Sequence, residues 1–306
     1  MKIWREDNYG AGFEHSKRMT AYFSKSFYFA AKMLPKERRW ATFALYGFCR
    51  YADNLIDNPR KRTQEEILFE VSYLEKELLI ANRTGESEHP IIGPFIMVAK
   101  KYDIPIRYPL ELLEGVKMDI RKTRYETFED LYLFCYRVAA VVGLMMTHVL
   151  GYKDTEAFQY AEKLGVAMQL TNIIRDIKED KDMGRIYFPA EELRRFNISA
   201  ADIMNEKMTS ELTQFIRFQI QRADHYYMEA EKGIKMLIPE SQFAIYAASK
   251  IYQGILFKIE ARNYNPFEGR VFVPQLKKIQ IIVKEILRTR SFFNKVGELL
   301  PIDLKS

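Results

Sequence analysis

The sequence predicts an all-α protein in which antiparallel helices form one bundle. Apolar residues recur at helical spacing along most of the chain. Short breakers, such as Asn58-Pro59 and Gly151, separate the helical segments, and short connections favour antiparallel neighbours. No stretch alternates strongly enough to indicate a strand. The predicted helices lie near residues 18–33, 37–58, 64–83, 91–102, 107–122, 127–151, 155–181, 207–235, 240–264 and 274–290.

The chain is long enough to bury a sizeable core and shows no internal boundary. It has 306 residues, of which 48% are hydrophobic and 29% charged, as in soluble globular proteins. No linker or low-complexity tract divides it, so we expect a single domain over residues 1–306. The longest apolar run, Val138 to Met146, falls well short of the roughly 20 residues that span a bilayer.

The cysteines and the first residues indicate a cytoplasmic protein. Cys49 and Cys135 lie in apolar helical segments, and two cysteines in a chain of this length form no disulfide framework. We therefore expect buried, reduced thiols. The charged start, Met1 to Asp7, is followed by no apolar core and does not indicate a signal peptide.

The predicted helix near residues 37–58 carries a pair of carboxylates. Asp53 and Asp57 are four residues apart, so they lie about 40° from each other around the helix axis and share a face. Arg50 lies one turn before them. The helix is expected to end at Asn58-Pro59, because proline disfavours helical backbone in the preceding residue.

A second helix, predicted to run without interruption from Met168 to Asp180, repeats this arrangement. Asn172, Asp176 and Asp180 are each four residues apart and form a ladder of oxygen ligands on one face. Gln169 and Arg175 flank the ladder. The segment that follows, residues 183–189, is predicted to be a loop.

Two acidic pairs, each beside an arginine, suggest a shared task. A single carboxylate ladder is more often a solvated helix face. A pair of such ladders offers hard oxygen ligands, which suit Mg²⁺ bound by one or two carboxylates, substrate phosphates and water.

The charge balance fits an anionic partner. The net charge is +6 and the pI is near 9.0, which admits nucleic acid, anionic lipid or an anionic small substrate. The chain shows no nucleic-acid-binding motif, so we expect no nucleic acid partner and favour a diphosphate substrate. The predicted helix from Gln275 to Arg290 has a basic amphipathic pattern, which indicates peripheral membrane binding. The alternative is a terminal helix that packs on the protein and exposes its basic face to solvent.

The motifs together resemble those of the head-to-head prenyl synthases, which comprise phytoene, dehydrosqualene and squalene synthases. Asp53-x-x-x-Asp57 resembles the first aspartate motif of this family, and Gln169 to Asp180 resembles the second. The flanking segments Ser24–Pro35, Gly184–Pro189 and Arg270–Val273 also match. Two positions depart from the family pattern, since Asn54 stands where a second acidic residue is frequent and Phe23 stands where some relatives have histidine.

The resemblance implies the isoprenoid-synthase fold, a helical bundle around a central cavity with the aspartate motifs facing each other at its mouth. It implies the joining of two prenyl diphosphates through a cyclopropylcarbinyl diphosphate. We expect two geranylgeranyl diphosphates to give phytoene. The alternatives are a dehydrosqualene or squalene synthase that uses farnesyl diphosphate, a head-to-tail prenyltransferase or terpene cyclase, and a non-catalytic assembly protein on the same fold.

The resemblance also implies cofactors, partners and roles for particular residues. Mg²⁺ is the expected cofactor, with Mn²⁺ as a possible replacement and no nicotinamide cofactor; downstream carotenoid enzymes are possible partners. The implied metal ligands are Asp53, Asp57, Asn172, Asp176 and Asp180. The implied substrate-binding residues are Ser24, Lys25, Ser26, Arg50, Gln169, Asn172, Arg175, Arg185, Tyr252 and Arg270. Tyr136 and Tyr187, together with Tyr252, are implied in cation stabilisation or proton transfer.

The expectation of a C20 substrate rests on small side chains. A cavity for a longer tail needs small residues at its far end, and Ala30, Ala31, Ala41 and Ala44 lie at helical spacing on the first two motif helices. The alternative is that these alanines mark close helix packing.

Overall fold

The structure is a computed structural model that describes Trp4, residues 8–57 and 62–274, and Gln280, with only the backbone at Asp57. The first helices are α1 (Gly10–Phe23), α2 (Lys25–Ala31), α3 (Lys36–Asp57), α4 (Gln64–Thr84), α5 (Ile92–Lys101) and α6 (Arg107–Arg121). Next come strand β1 (Arg124–Tyr125), α7 (Phe128–Cys135), a π-helical turn (Tyr136–Ala140), α8 (Val141–Leu150) and α9 (Ala157–Arg175). The last elements are α10 (Ile177–Asp182), strand β2 (Ile186–Pro189), α11 (Ala190–Arg195), α12 (Ala200–Met204), α13 (Ser210–Ile234), α14 (Pro239–Glu260) and a 3₁₀ turn (Pro266–Glu268).

Local sequence explains where several helices begin and end. Thr63 starts α4 with a capping box, in which its hydroxyl accepts from the Glu66 backbone N–H and the Glu66 carboxylate accepts from the Thr63 N–H. Thr127 and Asp130 do the same for α7. Gly85 ends α4 in the left-handed conformation, with φ of 89°. The all-α prediction is therefore confirmed, and the predicted helix near 274–290 falls almost entirely outside the described residues.

Two predicted helices are interrupted in the structure. Ser24, with φ of −139° and ψ of 80°, separates α1 from α2 where one helix was expected. Asp176 interrupts the predicted helix 168–180, because its φ of −100° and ψ of 15° depart from helical values. The backbone hydrogen bonds continue across this residue, since Asp176 N–H donates to Asn172 at 2.8 Å and Asp180 N–H donates to Asp176 at 2.8 Å. The break at Asp176 is therefore a local change of direction.

The prediction of no strands and of a loop over residues 183–189 was also wrong. β1 and β2 form a parallel pair in which Arg124 lies opposite Ile186 and Tyr125 opposite Pro189, with an irregularity between them. The Arg124 guanidinium donates to the Gly184 carbonyl at 2.8 Å. Strands this short carry too few residues for a period-two pattern to stand out.

The long apolar stretch Phe128–Leu150 contains a change of pitch. The Val141 N–H bonds to the Tyr136 carbonyl, one residue further back than in an α-helix, which defines the π-helical turn. Gly165 of α9 lies against this turn, and a Cβ there would be 2.5 Å from the Ala140 Cα. By length and composition this stretch is a candidate membrane span, since an 18-residue window within it has a mean hydropathy of 1.7. However, 56% of that window is buried inside the protein, as in the core helix of a soluble protein.

The core consists of two main clusters of buried side chains. The first cluster is built mainly from α3, α4, α5, α6 and α8, and the second from α7, α9, α13 and β2. Side chains of both clusters line a central cavity, so packing of the two halves positions the residues described next.

Candidate active site

A central cavity of about 280 Å³ runs between α2, α3, α8, α9, α13 and α14. Helix α9 contributes wall residues from Ala157 to Asn172, a distance of about 22 Å along the helix axis. Most of the wall is apolar. Its larger apolar side chains include Leu45, Val142, Met146, Leu164, Met168 and Ile245. The cavity is therefore a deep apolar shaft.

Polar side chains gather on the wall at one end of this shaft. They come from the start of α2 and from α3, α9 and α14. These residues are Ser24, Ser26, Arg50, Asp53, Gln169, Asn172 and Tyr252. The structure thus brings together seven of the residues that the sequence implied, in a charged rim above an apolar shaft.

Asn172 presents an oxygen that has no donor among the described residues. Its amide nitrogen donates to Gln169 Oε1 at 3.3 Å, while its Oδ1 is buried without a hydrogen-bond partner. An unpaired buried carbonyl oxygen costs free energy, so it fits a cation that binds with the substrate.

Asp176 is held by two arginines just beyond this rim. Its Oδ1 accepts from Arg175 Nε at 2.7 Å and lies 3.0 Å from Arg270 Nε. Arg175 also interacts through a hydrogen bond with Tyr252, which lines the cavity. Asp176, Arg175 and Arg270 therefore form a cluster that is linked to the cavity wall.

Asp180 lies among other negative charges. Burial raises the pKa of its carboxyl to about 8, the charges of Asp176 and Asp119 act in the same direction, and Arg185 opposes them. Without a cation this carboxyl is mostly protonated at neutral pH. A bound divalent cation would favour the ionised form.

Asp119 on α6 is a polar residue that the sequence interpretation missed. Tyr187 donates its hydroxyl to Asp119 Oδ1 at 2.6 Å, and Arg185 Nη1 lies 3.2 Å from Asp119 Oδ2. The available signal was periodicity, because Asp119 continues the stripe formed by the buried residues Leu112 and Val116. A carboxylate on a buried stripe usually has a specific partner.

Several of the implied residues do not line the cavity. Five of them belong to the clusters described above, namely Arg175, Asp176, Asp180, Arg185 and Arg270. Tyr187 is buried and stacks on Phe134 at 5.2 Å, so it contacts Asp119 and not the shaft. Tyr136 lies in the π-helical turn and is not a wall residue. Lys25 is exposed in the first turn of α2. Asp57 ends α3, and its side chain lies outside the described residues.

The expectation that four alanines lengthen the shaft was wrong about their position. All four are buried and none lines the cavity; Ala41 and Ala44 belong to the first core cluster. Other small residues keep the shaft open. They are Ala139, Gly143, Ala157, Ala161, Gly165, Ala230, Gly233 and Ala248.

The donor set fits a metal shared with substrate better than a closed protein site. Among the described side chains, no three His, Cys, Asp or Glu groups lie close enough to hold one ion. The unpaired Asn172 oxygen at this rim and the raised pKa of the Asp180 carboxyl beyond it nevertheless both favour added positive charge. Mg²⁺ commonly takes few protein ligands and completes its shell with phosphate and water oxygens.

A helical bundle around an apolar cavity with a rim of Asp, Arg and amide groups defines a class, the isoprenoid synthases. Residues 20–277 match the family described as Squalene/phytoene synthase. The chain belongs to this family and is a prenyltransferase. Enzymes of the family use a divalent metal.

Named relatives and solved structures agree with this family. The chain is 35% identical to the 15-cis-phytoene synthase of Synechococcus elongatus, over 90% of this chain and 92% of that one. It is 36% identical to phytoene synthase 1, chloroplastic, of Arabidopsis thaliana, over 92% of this chain and 68% of that one. A dehydrosqualene synthase crystallised with a ligand has a TM-score of 0.86 at 30% identity, covering 94% and 99% of the two chains. A squalene synthase from Alicyclobacillus acidocaldarius has a TM-score of 0.76 at 26% identity, covering 84% and 95%.

Proposed function

We propose that this protein joins two C20 prenyl diphosphates head to head, releases both diphosphates and forms phytoene. The observation that carries the proposal is the apolar shaft, about 22 Å deep along α9, below a rim that holds Arg50, Asp53 and Asn172. Such a site matches a substrate with an anionic head and a long hydrocarbon tail. The similarity to named phytoene synthases supports the C20 choice.

The rim residues bind and orient the diphosphate groups. Arg50 is placed to donate to diphosphate oxygens through its planar fork, and the hydroxyls of Ser24 and Ser26 add further donors. Arg175 and Arg270 hold the Asp176 carboxylate in place. The residues that would hold Mg²⁺ are Asp53, Asp57, Asn172, Asp176 and Asp180. Bound Mg²⁺ would supply positive charge that stabilises the leaving diphosphate.

The wall protects the allylic cation that forms when diphosphate leaves. Apolar side chains exclude water, and aromatic faces stabilise positive charge without reacting with it. Tyr46, which the sequence interpretation did not single out, lines the cavity and stacks on Phe27 at 5.2 Å. Burial raises the pKa of the Tyr46 hydroxyl, with Arg50 opposing, so the ring stays neutral. Tyr252 adds a second ring beside Arg175.

A second candidate function is the same reaction with the C15 diphosphate. The structural similarity to a protein named dehydrosqualene synthase favours this alternative. The test is incubation of purified protein with Mg²⁺ and either the C15 or the C20 diphosphate, followed by mass analysis of the hydrocarbon. A C40 hydrocarbon supports the proposal. A wild-type enzyme that accepts only the C15 diphosphate overturns it, and chelation of Mg²⁺ should stop either reaction, with Mn²⁺ as a possible replacement.

We also propose that the protein binds membranes peripherally, near enzymes that consume its hydrocarbon product. The basic amphipathic stretch from Gln275 to Arg290 is the sequence feature behind this proposal, and it lies almost entirely outside the described residues. Failure to sediment with anionic vesicles at low salt would contradict it.

A further inference from the structure

Tyr160 closes one side of the shaft near its far end. It lies on α9 twelve residues before Asn172, about 18 Å from the rim along the helix axis. Its neighbours on the same wall, Ala157 and Ala161, are small. The ring is half-buried, and the Lys163 ammonium lies 5.6 Å from the ring centroid. Tyr160 therefore reaches from the cavity wall towards the charged outer surface.

The ring has this position because residue 233 has no side chain. A Cβ built on Gly233 of α13 would lie 2.2 Å from Tyr160 Cβ and 2.6 Å from its Cγ. Both residues line the cavity. Outside the ring, Glu229 lies 3.3 Å from Lys163 and 2.5 Å from Lys232, so the gap between α9 and α13 is bordered by charged groups. A prenyl tail at this depth meets an aromatic wall and not water.

We propose that Tyr160, seated on Gly233, sets the length of the prenyl tail that the shaft accepts. The inference rests on the proposed function, because it assumes that the tail lies in this shaft. The ring occupies space beside the position that the last isoprene unit would reach. Its removal lengthens or widens the far end of the shaft.

The experiment compares the kcat/KM ratios of neighbouring chain lengths, C15, C20 and C25, in two variants. Tyr160→Ala removes the ring and should shift the ratio towards the next longer diphosphate by about tenfold or more. Tyr160→Phe keeps the ring and should leave the ratio unchanged.

The outcomes separate this inference from the proposed function. If the wild type converts none of the diphosphates, the proposed function fails. If the wild type is active and Tyr160→Ala is folded with an unchanged chain-length ratio, the assignment of Tyr160 is wrong and the proposed function stands. If Tyr160→Ala fails to fold, Tyr160→Leu, which also removes the ring, decides the question.

Discussion

Replacing Asp180 with asparagine should stabilise the metal-free protein at neutral and alkaline pH. Burial and the nearby carboxylates raise the pKa of Asp180 from 3.8 to about 8 in the folded state. Between these values the folded chain holds a proton that the unfolded chain has lost, so stability falls as pH rises. In this range each pH unit lowers the free energy of unfolding by about 1.4 kcal/mol. Between pH 5 and pH 8 the free energy of unfolding of the wild type should therefore fall by about 4 kcal/mol because of this one carboxyl.

Urea unfolding in the presence of a chelator, repeated between pH 5 and pH 9, measures this effect. The Asp180→Asn variant should gain about 4 kcal/mol over the wild type between pH 5 and pH 8, and the difference should level off above pH 8. Saturating Mg²⁺ should flatten the wild-type curve. Glu156→Gln, at an exposed carboxylate before α9, is the control and should leave the wild-type pH dependence unchanged. A pH-independent difference for Asp180→Asn would refute the reasoning.

Three further predictions concern the site, the core and the product. Asp176→Asn should lower kcat by about a hundredfold or more while circular dichroism stays unchanged; near-normal turnover would remove Asp176 from the metal site. Arg222→Leu should destabilise the fold by about 3–5 kcal/mol in a urea titration, because it leaves the buried Glu192 carboxylate without its cation. The control variant Arg194→Leu removes an exposed ion pair and should lower the free energy of unfolding by less than about 1 kcal/mol. Adding NADPH should not change the mass of the hydrocarbon product, and appearance of a reduced product would contradict the expectation of no reductant.

Helical periodicity predicted most of the fold because the buried faces of long helices repeat many times. The predicted helices near 37–58 and 64–83 correspond closely to α3 and α4. Short elements were missed for the opposite reason, since β1, α11 and α12 have too few residues for a period to emerge. The break at Asp176 was missed because the residues on both sides of it keep their helical hydrogen bonds.

The site was predicted where spacing along one helix determines proximity. Asn172 and Gln169 are three residues apart on α9, and both line the rim as expected. Asp119 was missed because periodicity places it on the buried stripe of α6 but does not show which residues it contacts. Its partners, Arg185 and Tyr187, lie in β2 and immediately before it. The four alanines were misplaced because a small residue on a helix looks the same whether it faces a cavity or a neighbouring helix.

The π-helical turn between α7 and α8 rotates the apolar face of one helix relative to the other, so that α7 packs into the second core cluster and α8 into the first. Before the turn, Leu131 and Phe134 pack into the second cluster; after it, Val141 and Leu144 pack into the first. One residue corresponds to about 100° of rotation around a helix axis. Deleting a single residue from Tyr136–Ala140 would leave a helix of almost unchanged composition but would turn the whole of α8 away from the shaft. The number of residues in this turn should therefore be more strongly constrained than their identities.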